Sequence, residues 1–161
     1  MRNSDLEKKE LTRAKNTAYR LLAFRPRSRA ELETKLRDKE FDVAIITAVL
    51  DDLARFGYVN DRQFADQWAR SRIRLRGFGR RRVEQELRNK GIDREIIREV
   101  SAEVFVDETE IETAKLVAVK KINAMKCLDR ETRRRRLAGF LERKGFSFEI
   151  IGAVLRDACK L

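Results

Sequence analysis

The stretch VEQELRNKGIDREIIREV, residues 83–100, carries the grammar of the whole chain. Val83 and Leu87 stand four apart on one helical face, and Lys90-Gly91-Ile92 stops that helix. Asp93 then caps a second helix whose apolar positions are Ile96, Ile97 and Val100. The same pattern lies upstream as Leu32, Leu36, Lys39, Phe41, Asp42, Ile45, Ile46 and Val49. It recurs downstream as Leu137, Leu141, Lys144, Phe146, Ser147, Ile150, Ile151 and Val154. Any two helical hairpins share apolar spacing, but this many matches at fixed offsets means repetition, with a period of about 51 to 54 residues.

Working outward, each hairpin is preceded by a further amphipathic helix. Leu11, Ala14, Ala18, Leu21 and Leu22 make the first, which ends before Pro26. Phe64, Ala65, Trp68 and Ile73 follow an Asn60 or Asp61 cap, and Gly77 and Gly79 break that helix. The third opens at Asp107-Glu108-Thr109-Glu110, runs through Ala114, Val117, Ala118 and Ile122, and pauses near Leu128. Ser28-Arg29-Ala30-Glu31 is a capping box for the second helix of the first unit. The expected fold is all-α: three tandem three-helix repeats over residues 1–57, 58–106 and 107–161, nine helices in an elongated, curved, right-angled array. Units this small bury little apolar surface alone, so stacking onto a shared extended core is expected.

Charge says what such an array meets. The 161 residues carry 38 Lys and Arg against 27 Asp and Glu, a net charge of +11. Cut after Gly57 and Val106, the thirds hold 13 basic and 10 acidic, 12 and 8, and 13 and 9 residues, so positive potential runs throughout rather than in a tail. A polyanion, or an assembly that bears one, is the expected target. The chain has no His, no GxxxxGK[ST] loop and no CxxC pair, which removes the usual general base and metal ligand and gives nucleotide binding no support. Asp51-Asp52 reads as an exposed helix face rather than a magnesium site. No catalytic residue, metal or cofactor is assigned. Cys127 and Cys159 lack a disulfide framework, and no signal-like or membrane-spanning run is visible, so a soluble, cytoplasmic protein is expected. The expected oligomeric state is a monomer.

Arginine clusters are the candidate binding groups, because the guanidinium fork grips phosphate or carboxylate bidentately. Arg25, Arg27 and Arg29 surround Pro26. Arg70, Arg72, Arg74 and Arg76 alternate along the end of the fourth helix and so wrap round it. Arg80, Arg81 and Arg82 fill the first turn of the fifth, where cations oppose the macrodipole and free N–H groups would favour bound phosphate. Arg130 and Arg133, Arg134, Arg135 and Arg136 take the first turns of the eighth, and Lys144 stands at the repeated turn. Tyr58, Phe64 and Trp68 sit at core spacing and are read as packing residues.

With RSRAEL at 27–32, GYVNDRQFA at 57–65, and Gly79-Arg80 through Glu86-Leu87 followed by Lys90-Gly91-Ile92 in view, the chain resembles the RecX family, bacterial modulators of the RecA recombinase. The resemblance runs from about Ala14 to Leu155. It implies tandem three-helix repeats, binding to the RecA filament on single-stranded DNA, and inhibition of recombinase, ATPase and co-protease activity in DNA repair and the SOS response. Direct, weak contact with DNA is compatible with the charge. A sequence-reading DNA binder built on three-helix units is the main rival, and a scaffold for an unrelated acidic protein is the third.

Overall fold

The computed structural model describes residues 2–125 and 127–158, so Cys159 lies outside the described residues. Nine helices and no strand occur among them. The first unit holds α1 (Arg2–Phe24), α2 (Arg29–Arg37) and α3 (Val43–Arg55). The second holds α4 (Asp61–Arg76), α5 (Arg80–Asn89) and α6 (Arg94–Val104). The third holds α7 (Asp107–Asn123), α8 (Arg130–Lys144) and α9 (Phe148–Ala158).

Helix starts follow local chemistry. Asp42, Asp93 and Asn60 accept hydrogen bonds from the N–H groups of Ala44, Glu95 and Gln63, and Ser28 and Glu31 close the expected capping box. Each such cap contributes about 1 kcal/mol. Helix α1 extends well upstream of Leu11, where the apolar stripe starts.

Within each unit the first helix packs on the third through paired alanines one turn apart: Ala14 and Ala18, Ala65 and Ala69, Ala114 and Ala118, all buried. Their small side chains let the backbones approach. The second helix adds Leu32 and Leu36, Val83 and Leu87, or Leu137 and Leu141, and Phe41, Ile92 or Phe146 closes the end. Burying each of these leucines contributes about 1.5–3 kcal/mol.

The expected shared core is not what forms. Three separate clusters of buried residues are present, each built on the helices of one unit, with Val59 just past residue 57 joining the first, and the helix pairs with extensive contact all lie within units. Neighbours are joined instead by backbone hydrogen bonds and ion pairs at the start of the second helix. Ser28 and Gly79 both give a hydrogen bond to a lysine carbonyl of the next unit, so the units meet at polar turns and their apolar clusters stay apart.

Candidate partner interface

Both junctions between units use one backbone design. At the first, Ser28 Oγ donates to the Lys90 carbonyl at 2.6 Å, and the Arg29 N–H donates to Asp61 Oδ1 at 2.8 Å. At the second, the Gly79 N–H donates to the Lys144 carbonyl at 2.8 Å, the Arg80 N–H to Glu110 Oε1 at 2.8 Å, and the Arg81 N–H to the Gly145 carbonyl at 3.1 Å. Asp61 and Glu110 are equivalent, each four residues before the first alanine of its helix. So the start of α2 or α5 rests on the turn between second and third helices of the next unit, and a carboxylate there compensates the positive helix end.

This overturns the expected phosphate site at the start of α5, because its N–H groups are already bonded. Gly145 shows how close the approach is. Its φ is +93°, and a Cβ would lie 2.4 Å from the Arg82 backbone nitrogen. Gly91, with φ +70°, would meet the Ala30 Cβ at 2.4 Å. The equivalent turn of the first unit carries Glu40 at φ +62°, and Lys39 and Glu40 are exposed there.

The arginine clusters, alike in sequence, divide in space. Arg25 forks onto Glu31 at 3.0 and 3.2 Å, Arg27 Nε donates to the Leu21 carbonyl, and Arg29 pairs with Asp51 at 2.6 Å, so the first cluster is committed internally. Arg70 pairs with Asp66. Arg72 turns inward, 3.9 Å from the Trp68 ring centroid and 2.7 Å from Glu86. Arg74 and Arg76 face outward, and among the described residues neither side chain forms an ion pair. Arg80 is structural: it donates to the Phe105 carbonyl at 2.5 Å. Arg81 lies over the exposed Phe148 ring at 5.3 Å.

Helix α8 starts a turn further ahead of Leu137 than α5 starts ahead of Val83, so Arg134, Arg135 and Arg136, the equivalents of Arg80 to Arg82, lie beyond its first turn. Asp129 and Glu131 occupy the helix start with Arg130 and offset the cost expected there. Arg134, Arg135 and Arg136 are exposed and form no ion pair among the described residues, and Arg133 is half-buried. Lys121, Arg135, Arg136 and Arg143 border an open groove between α7 and α8, which Cys127 also lines.

Trp68 packs against the second core, donates Nε1 to Glu86 at 3.0 Å, and stacks with Phe64, as read from its spacing. Tyr58 does not: it is 58% exposed, edge-on to Tyr19 beside a groove between the first two units. Asp51 and Asp52 are used by Arg29, and by Lys15 and Arg55. Among the described residues no cluster of candidate metal ligands occurs, and no helix is long and apolar enough to cross a membrane.

Three serially joined three-helix units with outward arginines define a tandem-repeat, all-helical protein. Family models for the first, second and third three-helix domains of RecX match residues 14–53, 60–100 and 108–155. The chain belongs to the RecX family. The protein named Regulatory protein RecX in Streptomyces coelicolor is 39% identical over 145 residues, covering 90% of this chain and 77% of that one. Its counterpart of the same name in Corynebacterium efficiens is 40% identical, covering 98% and 75%. The fold is shared with the crystal structure of RecX from Lactobacillus salivarius, at a TM-score of 0.86, 23% identity and 96% and 99% coverage. A second structure, of regulatory protein RecX, has a TM-score of 0.85 at 21% identity. The relatives' names make the family one of regulatory proteins.

Proposed function

We propose that the chain binds the RecA filament on single-stranded DNA in the cytoplasm and restrains its recombinase, ATPase and co-protease activities, acting by occupancy as a monomer. Its units would be the repeats at 1–57, 58–106 and 107–161. The carrying observation is membership of a family of regulatory proteins, joined to a surface on which Arg74, Arg76, Arg134, Arg135 and Arg136 are left without carboxylate partners among the described residues. Several weak charge contacts spread over linked units sum to useful affinity. A nucleoprotein filament offers both phosphates and acidic protein surface to such a molecule.

Co-sedimentation with RecA filaments on single-stranded DNA tests this reading. The chain should pellet with filaments, and replacing Arg134, Arg135 and Arg136 by Gln should release part of it while the melting temperature stays unchanged. Tight, sequence-selective binding to naked duplex without RecA would instead favour the DNA-binding rival. Failure to pellet in either setting would turn attention to an acidic protein partner unrelated to DNA.

A further inference from the structure

Laying the junctions over one another shows one inversion of charge. At the first, Glu31 sits between Arg25 and Lys90, accepting from Lys90 Nζ at 2.8 Å and from Arg25 at 3.0 Å. The residues at the same repeat positions of the second junction are Arg82 for Glu31, Arg76 for Arg25 and Lys144 for Lys90. Three cations thus replace a neutralised triad. Arg82 and Lys144 converge, each 5.1 Å from the centroid of Phe78, while Lys144 Nζ donates to the Arg76 backbone carbonyl at 2.5 Å and Arg76 lines the same groove as Lys144.

Burial, then the nearby Arg76 and Arg82, holds the Lys144 ammonium below its ordinary range. The carboxylate paired with Arg82, that of Glu86, stands 3.7 Å from Nε and is held more closely by Arg72 at 2.7 Å and Trp68 at 3.0 Å. Like charges held together at a fixed turn are unfavourable unless an anion joins them.

The groove beside this trio, between the end of α4 and α7, adds Arg74, Lys120 and Lys121 and two leucines, Leu75 and Leu116, each 67% exposed. Apolar side chains alternating with cations suit a protein segment better than a sugar-phosphate backbone. Phe140, the ring lining the groove, already carries Lys121 and Lys144, which leaves little for base stacking. The ligand that this fold accepts at the equivalent place is a carboxylate, Glu31.

We propose that Arg76, Arg82 and Lys144, with Leu75 and Leu116 beside them, bind an acidic, leucine-bearing segment of a partner protein, whose carboxylate takes the place that Glu31 holds at the first junction. The site stands independently of the filament reading, because the groove and its charge belong to this chain alone.

The test uses the full chain without RecA and a fluorescein-labelled peptide of repeated Glu-Leu-Asp, read by fluorescence anisotropy at physiological salt, with labelled oligothymidylate as the second probe. Wild-type protein should bind the peptide. Arg82→Glu, which supplies the missing carboxylate in cis, should weaken binding about tenfold or more, since a charge-assisted contact is lost and an acid placed against the peptide. Its melting temperature should hold or rise. Leu75→Ser with Leu116→Ser, both on the surface, should weaken peptide binding without lowering helicity. No binding by wild type, or equal binding by Arg82→Glu, would overturn the proposal. So would oligothymidylate that displaces the peptide and loses affinity equally in both variants, an outcome that assigns the trio to phosphate.

Discussion

The first and second junctions share their backbone and differ in their charge. In both, the start of a second helix sits on the lysine-containing turn of the following unit and gives an N–H to an acid near the start of that unit's first helix. Around that common frame the first junction is closed electrically. Burial alone would push the Glu31 carboxyl up, but hydrogen bonds from Arg25, Lys90 and the Ser28 N–H outweigh it and hold it at about 2. Lys90 also lies 4.1 Å from the Trp68 ring. At the second junction Lys144 stands beside Arg82 and the Arg76 carbonyl, and the acid paired with Arg82, Glu86, lies closer to Arg72 than to Arg82. A repeat protein can therefore keep one linkage and vary a few side chains on it, making one copy a fastening and the next a binding surface.

That contrast can be broken most forcibly at Glu31. Glu31→Arg copies the second junction onto the first and leaves a third cation against Arg25 and Lys90, so chemical denaturation should show a loss of about 3 kcal/mol. Glu31→Gln, which keeps the shape, should cost less than Glu31→Arg.

Acid should act on the same group. A carboxyl held down to about 2 from 4.5 contributes stability that is fully present above pH 4.5 and is lost as pH falls towards 2. At its fullest this is on the order of 3 kcal/mol. Melting followed by circular dichroism should show the loss in wild type, and Glu31→Gln should flatten it across that window.

Next in size is Gly145→Ala. The left-handed φ and the 2.4 Å approach to Arg82 both oppose a side chain, so a loss of about 2 kcal/mol is expected, with faster hydrogen exchange at the Gly79 and Arg81 amides. Gly57, at φ +75° but with open space around it, isolates the backbone effect, and Gly57→Ala should cost only about 1 kcal/mol. Equal losses at the two glycines would show that the junction is not tightly seated.

Much of this was readable beforehand. The repeat, the helices and the caps depend on spacing and on neighbours a few residues away, and Asp42, Asn60, Asp93 and Ser147 cap as their positions suggest. Family resemblance was readable in the same stretches. What did not show was whether adjacent units merge, because that depends on partners far apart in the chain, such as Ser28 with Lys90 and Arg80 with Glu110.

The division among arginines was hidden partly by distance, 22 residues from Arg29 to Asp51 and 25 from Arg80 to Phe105, and partly by the bend at Pro26 that turns Arg25 and Arg27 onto near neighbours. Arg25, Arg27 and Arg29 look as available as Arg80, Arg81 and Arg82, yet the first three are bound to Glu31, Leu21 and Asp51, and Arg80 is spent on Phe105. One signal does lie in the sequence: the residue just before Leu32 is Glu31, while the one before Val83 is Arg82. Leu75 and Leu116 gave no such sign, since apolar residues at helical spacing read as core until their exposure is seen.

The most direct measurement is RecA-dependent ATP hydrolysis on single-stranded DNA, followed with increasing amounts of this protein. A concentration-dependent fall in hydrolysis is expected. It should be weaker for the variant lacking Arg134, Arg135 and Arg136 at unchanged melting temperature. Hydrolysis that stays at its uninhibited rate, with the protein folded and in excess over RecA, would contradict the account.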